Sequence, residues 1–461
     1  MKRIKLLILL PALFTSFFML VFTGCNSNVN KNKNSVEVIK PRHPEWSKKS
    51  NIYEVNIRQY TPEGTINAFM RHLPRLKAMK VDILWLMPIF PIGEKNRKGS
   101  LGSYYAVKDY RAVNPEFGTL DDLKRLVKEC HKQGMYVILD WVANHTAWDN
   151  AWATEHPGWY EKDENGNFKS PYDWTDVIQL NYNNADMRKA MTEAMRYWIV
   201  NAGIDGFRCD VAGMVPVDFW NNAKEELDKT KHIFMLAEDE ENVELLKKAF
   251  DMNYTWKMMH LMNGIAKGEN KAGEIQDYFK WNNELFEKDM YRMYFTSNHD
   301  ENSWNGTAFE RLGKAFEVFT VFDYTIPGMP LTYSGQEAGN NKRLRFFDKD
   351  TIDWIKIPYS GFYAKLNELK HNNKALWNGE YGGSFNILDN MGNENIFAFY
   401  REKDNNQVVT ILNLSDNPVQ FGLEEKNIEG KYHNLFSGKT INIENGYLFD
   451  LPAWGYVVLT K

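Results

Sequence analysis

The chain has only 3 cysteines in 461 residues, too few for a disulfide framework and without any metal-binding spacing. Cys130 and Cys209 lie in apolar contexts, so both are expected to be small buried hydrophobic residues. Cys25 differs from them because it follows a long apolar run near the N-terminus. A disulfide-stabilised scaffold and a cysteine-based metal site are therefore excluded.

Other kinds of functional site are missing as well. The 10 histidines include no HExxH motif and no closely spaced pair, which disfavours a metal hydrolase that would use His145 and His299 as ligands. The sequence also has no serine nucleophile elbow and no glycine-rich phosphate loop. The sequence therefore favours acid–base chemistry performed by carboxyl groups.

Blocks of positive charge are also lacking outside the first 35 residues. The net charge is −4, and loss of residues 1–24, which hold three cations and no acid, would make it −7. Nucleic acid is therefore an unexpected partner.

The N-terminus has the pattern of an export signal. Three of the first five residues are basic, and an apolar stretch runs from Leu6 to Phe22. The small residues before Cys25 resemble the cleavage site of bacterial lipoproteins, in which that cysteine is acylated. We therefore expect a signal peptide over residues 1–24, a flexible tether over 25–48 and an exported, membrane-anchored protein in the cell envelope. An uncleaved membrane anchor is the alternative.

Short apolar runs alternate with amphipathic helical ones from about residue 50 to 360. The clearest helix is predicted between Thr119, which can cap it with Asp122 three residues on, and Gly134, which ends it. Eight of the runs are predicted strands, covering residues 52–60, 81–90, 135–142, 204–211, 233–239, 252–258, 290–298 and 329–335. Eight strands, most with a helical connection, predict an α/β fold, a parallel (β/α)8 or TIM barrel.

The pattern departs from this repeat in two places. Residues 144–181 have no helical period and are polar and aromatic, which predicts a small inserted domain after the third strand. Residues 371–461 change to alternating strands with turn signals, which predicts an all-β sandwich. The barrel itself is then assigned to residues 49–143 and 182–370.

Acidic and histidine side chains stand where four predicted strands end. In a parallel barrel these ends meet on one face, where functional groups gather. The residues concerned are Asp140, Asn144 and His145 after the third strand, Arg208 and Asp210 on the fourth, Glu238 on the fifth, and His299 and Asp300 on the seventh.

Several carboxyl groups without another kind of nucleophile favour glycoside hydrolysis. Retaining glycosidases need an ionised carboxylate and a protonated one about 5–5.5 Å apart, which neighbouring strand ends can supply. Arg208 is expected to lower the pKa of Asp210 and keep it ionised. Glu238 follows an apolar run, where partial desolvation favours retention of its proton.

The motifs DWVANH, GFRCD, LAED and SNHD, in this order, resemble the four signature regions of the α-amylase family of glycoside hydrolases, family 13. QLN at residues 179–181, YAVKDYRAVNPEFGT at 105–119 and GMPLTYSGQEAG at 328–339 are similar to further family segments. The resemblance covers about residues 50–460. It implies a retaining hydrolase of α-1,4-glucosidic bonds in starch-derived glucans or maltooligosaccharides, with no cofactor required for the chemistry.

The resemblance also implies a role for each matching residue. Asp210 matches the nucleophile, Glu238 the general acid/base and Asp300 the third carboxylate. The substrate-binding positions are matched by Tyr105 beneath the sugar, His145 and His299 at its hydroxyls, Arg208 beside the nucleophile, and Asp140 supporting that arginine.

The sequence departs from the family pattern after Asp210. Many α-amylases have a Lys-His pair there that contacts the leaving side and helps hold calcium, whereas this chain continues with Val211–Met214. Asn144 matches a calcium ligand, but the further oxygen ligands that calcium requires are not identified. A structural calcium ion is therefore an open expectation.

Two alternative functions remain. A family member with the same chemistry would transfer the glycosyl group to another sugar or to phosphate. A lipoprotein that binds carbohydrate on an inactive barrel would need neither Asp210 nor Glu238 in its present place. The intact trio of carboxylic acids favours the hydrolase.

Overall fold

The computed structural model describes residues 42–423 and 425–461. The predicted signal peptide, Cys25 and the first part of the predicted tether lie outside the described residues. Within the described residues, no helix is long and apolar enough to cross a membrane.

The strands of the described chain, in order, are β1 (Ile52–Val55), β2 (Ile83–Leu86), β3 (Tyr136–Trp141), β4 (His145–Ala147), β5 (Val177–Gln179), β6 (Gly206–Cys209), β7 (Phe234–Ala237), β8 (Met252–Tyr254), β9 (Tyr291–Phe295), β10 (Met329–Tyr333), β11 (Asn386–Ile387), β12 (Ile396–Lys403), β13 (Asn406–Asn413), β14 (Val419–Leu423), β15 (Gly430–Asn434), β16 (Thr440–Ile443), β17 (Tyr447–Leu451) and β18 (Tyr456–Thr460).

The α-helices of the same residues are α1 (Ile57–Tyr60), α2 (Ile66–Met70), α3 (Leu73–Ala78), α4 (Leu120–Lys132), α5 (Ala151–Glu155), α6 (Ala185–Ala202), α7 (Val217–Asp228), α8 (Val243–Leu246), α9 (Trp256–Lys267), α10 (Glu274–Leu285), α11 (Ala308–Leu312), α12 (Phe316–Thr325) and α13 (Ser360–Asn372).

Parallel strands form a closed barrel in the order β1-β10-β9-β8-β7-β6-β3-β2. The barrel strands are short and almost entirely buried, as expected for a parallel sheet that is covered on both faces. In the described part of the chain all eight predicted barrel strands are confirmed. The sixth prediction, 252–258, was too long, because β8 ends at Tyr254 and α9 begins at Trp256.

The inserted domain after β3 contains a small antiparallel sheet. β4 and β5 pair with each other, and α5 lies between them in the chain. We call residues 144–181 domain B. Its two ends lie close together because His145 pairs with Gln179, so the insertion leaves and re-enters the barrel at one place.

The predicted tether extends too far along the chain. Residues 42–48, assigned to it from the sequence, pack against the barrel instead. Trp46 stacks on Tyr136 with 4.1 Å between ring centroids, and buried His43 lies 2.7 Å from the Asp251 carboxylate. Aromatic stacking and a buried hydrogen bond therefore fix a segment that sequence composition had grouped with a polar linker.

The C-terminal region is an all-β domain of two sheets. One sheet has the order β11-β12-β13-β18-β15-β16, and β14 pairs with β17 in the other. An apolar cluster that includes Ile411, Phe421 and Phe449 joins the two sheets. The predicted boundary at residue 371 is slightly early, because α13 continues to Asn372 and the first strand begins at Asn386.

Both cysteines in the described part of the chain, Cys130 and Cys209, are free and fully buried. This confirms the interpretation of both residues as small hydrophobic core residues.

Candidate active site

A cavity of about 480 Å³ opens at the carboxyl ends of the barrel strands. Its lining includes the three predicted catalytic acids and two of the predicted substrate-binding residues, namely Asp210, Glu238, Asp300, Tyr105 and His145. The remaining predicted residues, Arg208, His299 and Asp140, are buried and contact these side chains directly. The tertiary structure therefore brings all eight together.

The backbone holds Asp210 and Glu238 at neighbouring positions. Asp210 directly follows β6, and Glu238 directly follows the adjacent parallel strand β7. The Asp210 amide donates to the carbonyl of Trp141 at 2.9 Å, and the Glu238 amide donates to the carbonyl of Cys209 at 3.0 Å. These hydrogen bonds continue the pairing of the strands, so both carboxyl groups start from rigid, adjacent positions.

The chain turns sharply after Asp210. Val211 has a φ of 37° and a ψ of 48°, a left-handed conformation that β-branched residues rarely adopt. Its amide donates to Oε2 of Glu238 at 2.7 Å. Strained residues of this kind cluster at functional sites, and this one fixes the Glu238 carboxyl group relative to the Asp210 backbone.

The Arg208 guanidinium binds three carboxyl groups from the barrel interior. Nη1 lies 2.9 Å from Asp140 and 3.1 Å from Asp210, and Nη2 lies 2.7 Å from Glu238. Its Nε donates to the hydroxyl of Tyr254 at 3.1 Å. Because Arg208 is completely buried, this cation is an organising centre that the substrate cannot reach directly.

One sequence-based expectation about Asp210 is wrong in direction. Burial and the neighbouring carboxylate of Glu238 raise the pKa of Asp210 well above its usual value, and the attraction of Arg208 does not compensate. Arg208 is shared with other carboxylates and cannot neutralise each of them. The pKa of Asp210 therefore exceeds that of an isolated carboxyl group despite the contact with Arg208.

His299 connects the site to the opposite side of the barrel. Its Nδ1 lies 2.5 Å from Oε1 of Glu54, and its Nε2 lies 2.8 Å from the Tyr105 hydroxyl and 3.3 Å from Asp300. Burial alone would lower the pKa of His299, but the carboxylates of Asp300 and Glu54 raise it to about 9. The imidazole is therefore a cation at neutral pH and donates from both nitrogens.

Tyr105 links this histidine to the arginine centre. Burial raises the pKa of Tyr105 well above its usual value, so the neutral hydroxyl is the form present. It donates to Oδ2 of Asp140 at 3.0 Å and accepts from His299. The ring also lies in the cavity wall, nearly parallel to His299.

Sequence reasoning missed Glu54. It lies on β1, is completely buried, and its Oε2 has no hydrogen-bond partner among the described residues. Burial is the largest influence and raises the pKa of Glu54, while His299 opposes it. An acid inside the apolar run Ile52–Val55 was the available signal, since such an acid is rarely buried without a partner.

His145 is neutral, whereas His299 is a cation. Burial lowers the pKa of His145 to about 3, so the imidazole is neutral. Its ring meets Trp174 edge to face with 5.5 Å between centroids, and its Nδ1 lies 3.2 Å from the amide nitrogen of Asn144. His145 can therefore hydrogen-bond a sugar hydroxyl without adding charge to the site.

The expected calcium site has little support in the side chains present. In the described part of the chain, no three His, Cys, Asp or Glu residues lie close enough together to hold a metal ion. Asn144, the one predicted ligand, is buried against His145. Calcium needs six to eight oxygen ligands, often including carboxylates, so these residues do not fit it well.

Further residues of the cavity wall were not identified from the sequence. Two are acids from domain B and three are aromatic residues of the barrel loops, and the wall includes Asp173, Asp176, Trp304, Phe346 and Phe347. Lys98, from the loop after β2, completes this part of the wall. Loop residues carry weak sequence signals because periodicity does not identify them.

The arrangement can perform acid–base and nucleophilic chemistry on an acetal. Two carboxyl groups line one cavity and both contact a buried cation, and a third carboxyl group, Asp300, stands beside an imidazolium. These are the groups that double displacement at a glycosidic bond requires.

Two family descriptions match the sequence. "Alpha amylase, catalytic domain" matches residues 27–176 and 153–375, and "Maltogenic Amylase, C-terminal domain" matches residues 385–458. The two matches follow the division into barrel and β domain that the structure has.

Individual proteins are similar over most of the chain. Alpha-amylase 2 of Dictyoglomus thermophilum is 23% identical over 439 residues, covering 86% of this chain and 74% of that protein. The cyclomaltodextrinase of Thermoanaerobacter pseudethanolicus is 24% identical, covering 90% of this chain and 78% of that protein. The crystal structure of the maltogenic α-amylase AmyB from Thermotoga neapolitana has a TM-score of 0.82 at 29% identity, covering 90% of this chain and 99% of the other. The chain belongs to the α-amylase family of glycoside hydrolases, family 13.

Proposed function

We propose that this enzyme hydrolyses α-1,4-glucosidic bonds in starch-derived glucans or maltooligosaccharides with retention of the anomeric configuration. The observation that carries the proposal is the contact of Asp210 and Glu238 with two nitrogens of the buried Arg208 guanidinium. Retaining enzymes need two carboxyl groups at such short range, whereas inverting enzymes leave room for a water molecule between them. The names of relatives, which are α-amylases, a cyclomaltodextrinase and a maltogenic α-amylase, support the substrate class.

The reaction proceeds in two displacements. The Asp210 carboxylate attacks the anomeric carbon while Glu238 gives its proton to the glycosidic oxygen, which leaves with the bonding electrons. The glycosyl group is then an ester of Asp210. Glu238 next takes a proton from water, whose oxygen attacks the same carbon and releases Asp210. Two inversions at one carbon give net retention.

The surrounding groups bind and orient the sugar. Tyr105 supplies a flat face beneath the ring, and Asp300 accepts from sugar hydroxyls near the developing positive charge. His299 balances Asp300, from which it lies 3.3 Å away, and His145 offers a neutral hydrogen-bonding nitrogen. Arg208 is fully buried, so it holds Asp210 and Glu238 without contacting the sugar.

The first product distinguishes the two stereochemical mechanisms. We expect proton NMR of maltoheptaose digests to show the α-anomer of the new reducing end before mutarotation, because double displacement retains configuration. Initial release of β-anomer would exclude Asp210 as a covalent nucleophile. Product chromatography with starch, maltotriose, sucrose, trehalose and cyclodextrin then defines the substrate. Products longer than the substrate would favour a transglycosylase of the same family.

Asp210→Asn is the matched inactive variant. It should lower turnover of maltooligosaccharides by more than about a thousandfold, because the amide cannot form the covalent intermediate. Its melting temperature should be unchanged or higher, because the buried charge of Asp210 is unfavourable beside Glu238. Retention of most of the activity in a folded variant would assign the nucleophile elsewhere.

We also propose that the protein is exported and anchored in the cell envelope through acylated Cys25. The support is the basic N-terminus, the apolar run from Leu6 to Phe22 and the Gly24–Cys25 step. Cells expressing the full chain should incorporate radiolabelled palmitate into it, and Cys25→Ala should abolish the label. Labelling that persists in this variant would contradict acylation at Cys25.

A further inference from the structure

A loop after β2 joins two walls of the active-site mouth. We call residues 94–103 the strap. At one point the ammonium of Lys98 lies 3.1 Å from the carboxylate of Asp176 in domain B. Three residues later the amide of Leu101 donates to the carbonyl of Phe347, in the loop after β10, at 2.9 Å. The strap therefore links domain B to the far side of the cleft.

Contacts with Arg58 and with the loop after β10 fix the conformation of the strap. Buried Arg58 donates to the carbonyls of Leu101 at 3.2 Å and Gly102 at 3.1 Å. Gly99 has a φ of +64°, and a Cβ atom there would lie 2.4 Å from the Cβ of Phe347. Glycine alone permits this close approach, so the strap is pressed against the loop after β10.

The order of the barrel strands places the strap opposite Glu238. The strap belongs to the loop after β2 and contacts the loop after β10. In the barrel, β1 lies between these two strands. Glu238 follows β7, which is the fourth strand from β1 in both directions around the barrel. The strap and the proposed acid therefore stand on opposite sides of the mouth.

The chemistry of cleavage gives each side a different part of the substrate. The acid protonates the oxygen that leaves, so the departing fragment lies on the side of Glu238. The retained fragment is bound to Asp210 through its anomeric carbon, so its remaining units extend toward its non-reducing end. That end points away from Glu238 and toward the strap.

Aromatic side chains line the path from Asp210 to the strap. The ring of Phe346 is nearly parallel to that of Tyr105, with 6.3 Å between centroids. Trp304 packs 5.2 Å from Phe346 and keeps 53% of its surface exposed, which leaves a flat face for another sugar ring. The Lys98–Asp176 ion pair also lines the cavity and joins the strap to domain B, so a long retained fragment that reaches the strap meets an obstacle.

We propose that the strap closes the cleft on the side of the retained fragment, so that the enzyme removes short fragments from the non-reducing ends of α-glucans and does not cut internally. The class of substrate that it selects is therefore a glucan chain with a free non-reducing end. This inference rests on the proposed function, because it assigns the two sides of the mouth from the roles of Asp210 and Glu238.

The test compares two forms of one substrate, maltoheptaose with a chromophoric group at its reducing end. One form has a free non-reducing end, and in the other a cyclic acetal blocks that end. The full-length enzyme should cleave the blocked form at least about tenfold more slowly, because the extra group meets the strap. Equal rates, with labelled products of many lengths from the start, would overturn the proposal. Cleavage of neither form would refute the proposed function instead.

A variant that removes one side-chain contact at each end of the strap tests the segment itself. Ser100 donates through Oγ to the carboxylate of Asp348 at 2.5 Å, near the Phe347 contact. In Lys98→Ala/Ser100→Ala the rate on the blocked form relative to the free form should rise at least about fivefold, because the barrier can move aside. The matched control is Lys189→Ala, which removes an exposed lysine of α6 outside the strap. An unchanged ratio in a double variant with wild-type melting temperature would overturn the role of the strap.

Discussion

Two histidines of the site, His145 and His299, differ in charge although both side chains are buried. His145 meets a tryptophan ring and an amide, so burial lowers its pKa to about 3. His299 meets two carboxylates, which outweigh burial and raise its pKa to about 9. The residue type alone predicts neither state, because the ionisation of a buried group depends on which charges surround it.

The carboxyl groups show the same dependence. The pairing of Arg208 with Asp210 was correctly expected from their spacing on one strand, and the structure has them 3.1 Å apart. The direction of the pKa shift was wrong, because the sequence indicated neither the burial of Asp210 nor the contact of Glu238 with the same guanidinium.

Glu54 is predicted to control the charge of His299. In Glu54→Gln the imidazole loses a neighbouring negative charge, so its pKa should fall from about 9. The alkaline limb of kcat/KM should move to lower pH by about one unit or more. A pH profile between neutral and pH 10 measures this shift.

The sign of the stability effect follows from the same shift. The folded-state pKa of His299 is raised above its unfolded value, so its contribution to folding stability is fully present below about pH 6.5 and is lost as pH rises through about 9.

The control for the kinetic prediction is a His299→Asn background, in which the Glu54→Gln change should no longer move the alkaline limb of kcat/KM. An unshifted limb in the single variant would mean that Glu54 has only a structural role.

At the scale of elements, the helix after β2 formed as its sequence predicted. Thr119 caps α4 by accepting from the Asp122 amide at 3.2 Å, and Asp122 accepts from the Thr119 amide at 2.8 Å. The hydrogen bonds of Thr119 and Asn67 lower the pKa of Asp122 to about 2. A capping box can be recognised from sequence because all its partners are within one helical turn.

Thr119→Ala should destabilise the protein by about 1 kcal/mol, because the first turn of α4 loses its cap. Urea unfolding at pH 7 measures the difference, with Thr230→Ala, an exposed threonine beyond the end of α7, as the control. The contribution of Asp122 should be present above about pH 4 and lost as pH falls toward 2, since its folded-state pKa is lowered. Equal stability of the two variants would show that the cap does not matter.

At the scale of the whole molecule, the barrel and the C-terminal domain share one hydrophobic core. The main apolar cluster contains barrel residues together with Phe397, Val408 and Leu412 of the β domain. Phe322 of α12 packs against Phe397 with 5.9 Å between ring centroids, and Arg401 of β12 donates to the carbonyl of Ile326 at 3.0 Å. The two domains are separate in sequence pattern but continuous in packing.

Removal of the C-terminal domain should therefore prevent stable folding of the barrel. A protein ending at residue 376 would expose the apolar surface around Phe322, and we expect it to aggregate on expression. Residues 42–461 are the reference and should unfold in one calorimetric transition. A soluble, active barrel without the β domain would contradict this dependence.

Sequence patterns predict the eight barrel strands and the inserted and C-terminal domains, because strand and helix periods are local. The residues at the barrel mouth were assigned from strand ends, which converge in a parallel barrel, and from the family resemblance, which alone supplied Tyr105. The same local rules identified the cap of α4.

The ionisation state of each site residue and the shape of the cleft depend on tertiary packing. Glu54 reaches His299 from 245 positions away, and the strap meets Asp176 and Phe347 from separate parts of the chain. Ionisation depends on burial and on the positions of distant charges, and a cleft is closed by loops whose contacts have no period. Both are properties of the packed molecule, so a linear pattern cannot specify them.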